Sequence, residues 1–166
     1  MNTFKQIGVI GSGAMGRGIA QLFATAGVPV LLYDSRSEAT QEALQANRAL
    51  LERAAAKGKL SREALAGALA CMGAATHLEA LADCDLLIEA IVENLEAKQG
   101  LFRALEQVVR ADAVLATNTS SLSVSLIASA CRHPERVAGS HFFNPVPLMK
   151  IVEVVRGELT DPQVVQ

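Results

Sequence analysis

Residues 5–16 read Lys5-Gln6-Ile7-Gly8-Val9-Ile10-Gly11-Ser12-Gly13-Ala14-Met15-Gly16, and this order decides the fold. Lys5 to Ile10 predicts a buried strand. A G-x-G-x-x-G turn follows at once, and Met15, Ile19, Leu22, Phe23 and Ala26 then recur at helical spacing until Gly27. A glycine turn between a strand and a helix has a specific physical use. Gly11 permits the tight turn, Gly13 lets the backbone approach a pyrophosphate, and Gly16 lets helix and strand pack closely. The helix N-terminus offers free N–H groups and a positive dipole end to phosphate oxygens. Residues Gly11, Ser12, Gly13, Ala14, Met15 and Gly16 are therefore candidate cofactor-binding residues.

Val30 to Tyr33 reads as a second buried strand that ends at Asp34, 18 residues after Gly16. A carboxylate at that place accepts hydrogen bonds from both ribose hydroxyls and repels a 2′-phosphate, which favours NAD over NADP. Arg36, close by, is the residue type that accommodates the extra phosphate. A long amphipathic helix follows, with Ala39, Ala43, Ala46, Leu50 and Ala54 on one face, ended by Gly58; Ser61 caps a short helix through Ala70. Leu86 to Ala90 predicts a strand. Asn94 caps a helix that buries Leu101, Phe102, Leu105 and Val108. Ala113 to Thr117 predicts a strand opening into the polar segment Asn118 to Ser123. A short helix around Leu126 and Ile127 precedes strands near Arg136 to Phe142 and Lys150 to Val155. Strands alternating with helices predict a doubly wound α/β domain: a mostly parallel, Rossmann-type sheet covered on both faces, with a helical insertion after the second strand.

The 166 residues form one domain, 1–166, and an apolar share of 51% with net charge −2 excludes a disordered chain. Fifteen basic against seventeen acidic residues and six aromatics leave no excess charge or stacking surface for nucleic acid. The strongest apolar run, Leu86 to Val92, is interrupted by Glu89 and is too short to span a membrane. Cys71, Cys84 and Cys131 lack metal-ligand spacing and read as buried small apolar groups in a reducing compartment, and no metal is expected. A motif starting at Gly11 leaves no room for a transit peptide, so a cytoplasmic location is expected. Thr160-Asp161-Pro162 is a helix-start signal four residues before Gln166, which suggests a fragment of a longer protein with a helical segment to follow. His77 and His133 read as surface residues without an identifiable carboxylate partner.

The second informative stretch is His141-Phe142-Phe143-Asn144-Pro145-Val146-Pro147-Leu148-Met149-Lys150, a proline-stiffened turn between two apolar strands. If the strands fold back on one another, Pro147 is the midpoint between His141 and Glu153. Those two residues then face each other, with Cβ atoms roughly 5 Å apart. A carboxylate beside an imidazole fixes its tautomer and orients the ring, which makes a histidine a general acid/base; spacing alone equally fits a core histidine.

Four segments occur in the order seen in L-3-hydroxyacyl-CoA dehydrogenases: the glycine loop, Glu89-Ala90-Ile91-Val92-Glu93-Asn94, Thr117-Asn118-Thr119-Ser120-Ser121-Leu122 and His141-Phe142-Phe143-Asn144-Pro145. The chain resembles that family's N-terminal NAD-binding domain over essentially its whole length. The resemblance implies reversible oxidation of a 3-hydroxyacyl-CoA to the 3-oxoacyl-CoA with hydride passing to NAD. It implies His141 as the base, Glu153 as its support, Ser120 touching substrate oxygen and cofactor, and Asn144 on the nicotinamide side. Glu93 and Lys98 match cofactor-contacting positions. Lys57 stands near a lysine that faces the CoA phosphates, and it equally reads as a helix-end lysine complementing the dipole. Leu50 replaces a serine that contacts CoA in some relatives.

The resemblance further implies a second, all-helical domain that supplies much of a homodimer interface and a catalytic asparagine. A chain without it is expected to fold and bind NAD but to be weakly active or inactive. The alternative reading is a catalytically silent dinucleotide-binding module.

Overall fold

The computed structural model describes residues 4–166. Seven strands form one sheet: β1 (Ile7–Ile10), β2 (Val30–Tyr33), β3 (Met72–Ala74), β4 (Leu86–Glu89), β5 (Val114–Thr117), β6 (Val137–Phe142) and β7 (Val152–Arg156). Their order is β3-β2-β1-β4-β5-β6-β7; all pairs are parallel except β6–β7, which is antiparallel. The helices are α1 (Ala14–Thr25), α2 (Ser37–Ala56), α3 (Arg62–Ala70), α4 (Leu95–Val108) and α5 (Val124–Ala128). From β1 the chain winds outward through β2 and β3, then returns to β4 and winds the other way. The loops leaving β1 and β4 therefore diverge, and a crevice opens at the carboxyl ends of the central strands.

Both sheet faces are buried, so the central strands read as continuous apolar runs rather than alternating ones. Ile7, Val9, Val30, Leu32 and Ile88 pack with Ile19 and Ala20 of α1 and Ala43 of α2. On the opposite face Ile10, Leu87 and Leu115 pack with Phe102 and Leu105 of α4 and Ile127 of α5. Ser61, Asn94 and Ser123 cap α3, α4 and α5 by accepting from Ala64, Ala97 and Leu126 N–H groups at 3.1, 2.9 and 3.3 Å.

Several details depart from the reading of the sequence. The buried stripe of α2 runs through Ala39, Ala43, Asn47 and Leu51, while Leu50 is exposed. Asn47 sits in this stripe because its Nδ2 donates to the Arg17 carbonyl at 2.9 Å, and a purely apolar pattern does not see it. Strand β3 has three half-buried residues including a glycine, and only its backbone pairing to β2 makes it a strand. Among the cysteines Cys84 is buried, whereas Cys71 and Cys131 are partly exposed; burial pushes the Cys84 and Cys131 thiols up to about 11. His77 and His133 are on the surface, but each has a partner two residues on, Glu79 at 3.4 Å and Glu135 at 3.1 Å. Asp161 accepts from Gln163 N–H at 2.8 Å, and Pro162–Val165 form one 3-10 turn where no helix is expected. Among the described residues no helix is long and apolar enough to cross a membrane.

Candidate active site

Every candidate on the glycine loop lies at the carboxyl end of β1. Gly11 has φ +101°, and a Cβ there would stand 2.5 Å from the Ala90 carbonyl oxygen. A Cβ on Gly16 would stand 1.7 Å from the Gly11 carbonyl oxygen, so the helix can approach its own turn only with glycine at this place. Gly13 differs: a Cβ there would meet nothing within 4 Å. It is the N-cap of α1 and makes no side-chain capping bond, so the first-turn N–H groups have no side-chain acceptor from the cap. The missing side chain thus clears room outside the protein rather than inside it, which fits a phosphate-bearing dinucleotide laid across the loop.

Asp34 stands where β2 ends. Its Oδ2 accepts from the Ser12 N–H at 2.9 Å and the Ser12 hydroxyl at 2.8 Å, and its Oδ1 accepts from the Arg36 N–H at 3.0 Å. Burial works against the ionised form, but the hydrogen bonds outweigh it and hold the carboxyl below its ordinary value. Oδ1, with a single donor, keeps a free lone pair for a ribose hydroxyl. Outside the loop, a cleft of about 410 Å³ is lined by Gly13, Arg17, Arg36, Ala39, Glu42 and Ala46, among others. Lys57 follows the last residue of α2 and is exposed. Eleven residues beyond Ala46 at about 1.5 Å each, it stands roughly 16 Å from the cleft along the helix.

The strands β6 and β7 pair with His141 directly opposite Glu153. His141 Nδ1 lies 2.8 Å from Glu153 Oε2, with the imidazole side chain 21% and the carboxylate 54% exposed. An ionised carboxylate only accepts hydrogen bonds, so Nδ1 carries the proton and Nε2 presents a lone pair. The Phe143 ring packs on the imidazole at a centroid distance of 4.5 Å. Asn144 is exposed in the turn that follows. Behind it Val146 presses on α1 at Gly18, where a Cβ would stand 2.9 Å from the Val146 Cβ.

Ser120 is exposed on the loop after β5, and Glu93 follows β4. The Glu93 carboxylate organises that loop: it accepts from the Thr119 hydroxyl and from the Ser120 N–H at 3.3 Å. Burial opposes its charge, but the Thr119 bond and Lys98 hold it below the usual glutamate value. Lys98 is wholly buried. Its Nζ lies 2.7 Å from Glu89 Oε1, 3.2 Å from Glu93 Oε2 and 3.4 Å from the Asn118 carbonyl oxygen. A side chain so enclosed has no surface to offer a ligand, in contrast to the cofactor contact the resemblance implies.

Two site residues carry no assigned role in the sequence reading. Glu89 is fully buried and accepts from the Thr117 hydroxyl at 2.7 Å and the Ile91 N–H at 2.8 Å. Asn118 accepts through Oδ1 from the Phe142 N–H at 3.0 Å, tying the β5 loop to the strand of His141. The available signal was a carboxylate ending an apolar strand, which demands a buried cation. Among the described residues no cluster of three or more His, Cys, Asp or Glu could hold a metal ion.

Residues 6–166 match the family model described as "3-hydroxyacyl-CoA dehydrogenase, NAD binding domain". The chain is 46% identical over 166 residues to a 3-hydroxyadipyl-CoA dehydrogenase of Escherichia coli (strain K12), covering 100% of this chain and 35% of that protein. It is 44% identical over 155 residues to a 3-hydroxybutyryl-CoA dehydrogenase of Clostridioides difficile, covering 93% and 55%. A solved structure of 3-hydroxybutyryl-CoA dehydrogenase from Escherichia coli K12 superposes with TM-score 0.96 at 46% identity, over 99% of this chain and 35% of that one. The chain thus spans between about a third and just over half of the length of these relatives.

Proposed function

The chain belongs to the 3-hydroxyacyl-CoA dehydrogenase family, matching its NAD-binding domain, and from that premise we propose that it serves the reversible oxidation of a (S)-3-hydroxyacyl-CoA to the 3-oxoacyl-CoA. The observation that carries the reading is the His141–Glu153 pair at 2.8 Å, on the strand that Asn118 ties to the Ser120 loop. Held by the glycine loop and Asp34, NAD would supply the hydride acceptor. His141 Nε2 takes the hydroxyl proton as the carbonyl forms and returns it in reduction. Glu153 supports the imidazolium so produced. The Ser120 hydroxyl donates to the substrate oxygen as alkoxide character develops, and Asn144 holds the nicotinamide side.

The glycine loop holds the pyrophosphate, Asp34 the ribose, and Glu93 the cofactor near the Ser120 loop; Lys98 acts through Glu93 rather than by contact. The CoA phosphates have Arg17 and Arg36 on the cleft and Lys57 beyond it as cationic partners. The exposed apolar strip of Leu148, Met149, Ile151, Val152 and Val154 fits packing against further chain of the same enzyme or a homodimer partner.

The test uses the full-length gene product with NAD and 3-hydroxybutyryl-CoA or 3-hydroxyadipyl-CoA, following NADH absorbance. Turnover that is lost in His141→Gln supports the reading. NADH binding without turnover of either substrate would leave a silent dinucleotide-binding module.

A further inference from the structure

We propose that Glu89 is a positioning residue for this reaction: with Lys98 it forms a buried ion pair that sets the Ser120 loop and the His141 strand relative to one another. The inference rests on the dehydrogenase reading and concerns how that site is held. Both side chains have zero exposure. Glu89 ends the central strand β4 and receives three donors, from Ile91, Thr117 and Lys98. The ammonium of Lys98 has three protons and three acceptors in reach: Glu89, Glu93 and the Asn118 carbonyl. Every proton of the Lys98 ammonium has an acceptor in reach and both Glu89 oxygens have a donor, so the pair is held from several sides.

From this point two branches run to the catalytic groups. One passes through Glu93 to the Thr119 hydroxyl and the Ser120 N–H. The other passes through Asn118 to the Phe142 N–H, next to His141. The ends of β4, β5 and β6 are thereby tied to one ammonium group. Stability alone does not call for this arrangement, because an apolar pair of the same volume fills such a space at least as well. Orientation does, because Ser120 and His141 arise from different strands and must meet at one substrate oxygen.

The test is the double substitution Glu89→Gln/Lys98→Met in the full-length protein, which removes both charges while keeping shape and an acceptor for Ile91. Three readouts are taken: melting temperature, hydrogen exchange of residues 118–121 and 142, and NADH affinity alongside kcat and KM. The expected result is a folded protein whose 118–121 amides exchange at least about tenfold faster. Its kcat is expected to fall by about 10²-fold with a much smaller change in KM, the signature of misplaced groups rather than lost binding. A folded variant with unchanged exchange and unchanged kcat would overturn the proposal and leave the pair a structural one.

If the double variant does not fold, Thr117→Val removes only the hydroxyl that steadies Glu89; faster exchange at 118–121 supports the proposal, and unchanged exchange overturns it. Hydrogen exchange and NADH affinity read the positioning role even if the unaltered protein turns over no 3-hydroxyacyl-CoA, so the two readings fail separately.

Discussion

His141 Nδ1 and Glu153 Oε2 meet at 2.8 Å because the chain between them folds into equal halves about Pro147. The pair is a consequence of strand register: one residue of slip would turn Glu153 to the opposite face of the sheet. The same register fixes which ring nitrogen is free, since the carboxylate engages Nδ1 and leaves Nε2 for the substrate. His141→Gln in the full-length protein is expected to lower kcat by about 10²–10⁴-fold, with NAD affinity nearly unchanged. Steady-state kinetics beside NADH titration check this, and near-parent turnover removes His141 from the mechanism.

Glu153→Gln keeps the hydrogen-bonding shape but removes the charge that supports the imidazolium. A smaller loss than that of His141→Gln is expected, about 10–10²-fold. The double variant should be little worse than His141→Gln alone, because residues acting as a unit are not additive. Additive losses would show that the two act separately.

The glycine loop offers a contrast between two single-methyl changes. Gly16→Ala drives a Cβ against the Gly11 carbonyl oxygen and should cost about 3 kcal/mol or more in urea unfolding. Gly13→Ala meets nothing within 4 Å, so its unfolding curve should match the parent while NAD affinity falls. Equal loss of stability in both would contradict the division between a packing glycine and a ligand-facing one.

Asp34→Ala should weaken NAD binding and narrow the preference over NADP, since Arg36 remains beside the site and the repelling carboxylate is gone. The ratio of the two dissociation constants is the measurement. An unchanged ratio would place the ribose elsewhere.

Glu106 supplies a pH test remote from catalysis. Its nearly buried carboxylate accepts from the Arg132 and His133 N–H groups, each at 2.8 Å, with Arg136 at 3.6 Å. Burial opposes the charge, but these partners outweigh it and hold the pKa below the ordinary 4.5. A depressed carboxylate pKa means that the unfolded chain takes up the proton first as pH falls. The stabilisation is therefore complete above pH 4.5 and is lost as pH drops through the lower folded value. Glu106→Gln should cost about 2 kcal/mol near neutrality and progressively less as pH falls below 4.5, read as urea midpoints. A gap that persists in acid would assign the loss to packing.

The amino-acid sequence by itself determined the strand–glycine turn–helix unit, the alternation that makes a doubly wound sheet, the caps Ser61 and Asn94, and the facing of His141 and Glu153. Each depends on interactions within a few residues or on counting along one hairpin, so a linear pattern carries it. Tertiary structure alone decided the rest. Asn47 lies in the buried stripe of α2 because a carbonyl of α1 waits there. Strand β3 exists because β2 offers an unpaired edge. Lys98 turns inward, away from solvent, because Glu89 ends the neighbouring strand beneath it and a buried carboxylate must be neutralised. Asn118 reaches Phe142 across two strands, 24 residues apart. Burial of charge and long-range hydrogen bonding depend on which groups the fold brings together, and one-dimensional spacing does not encode that.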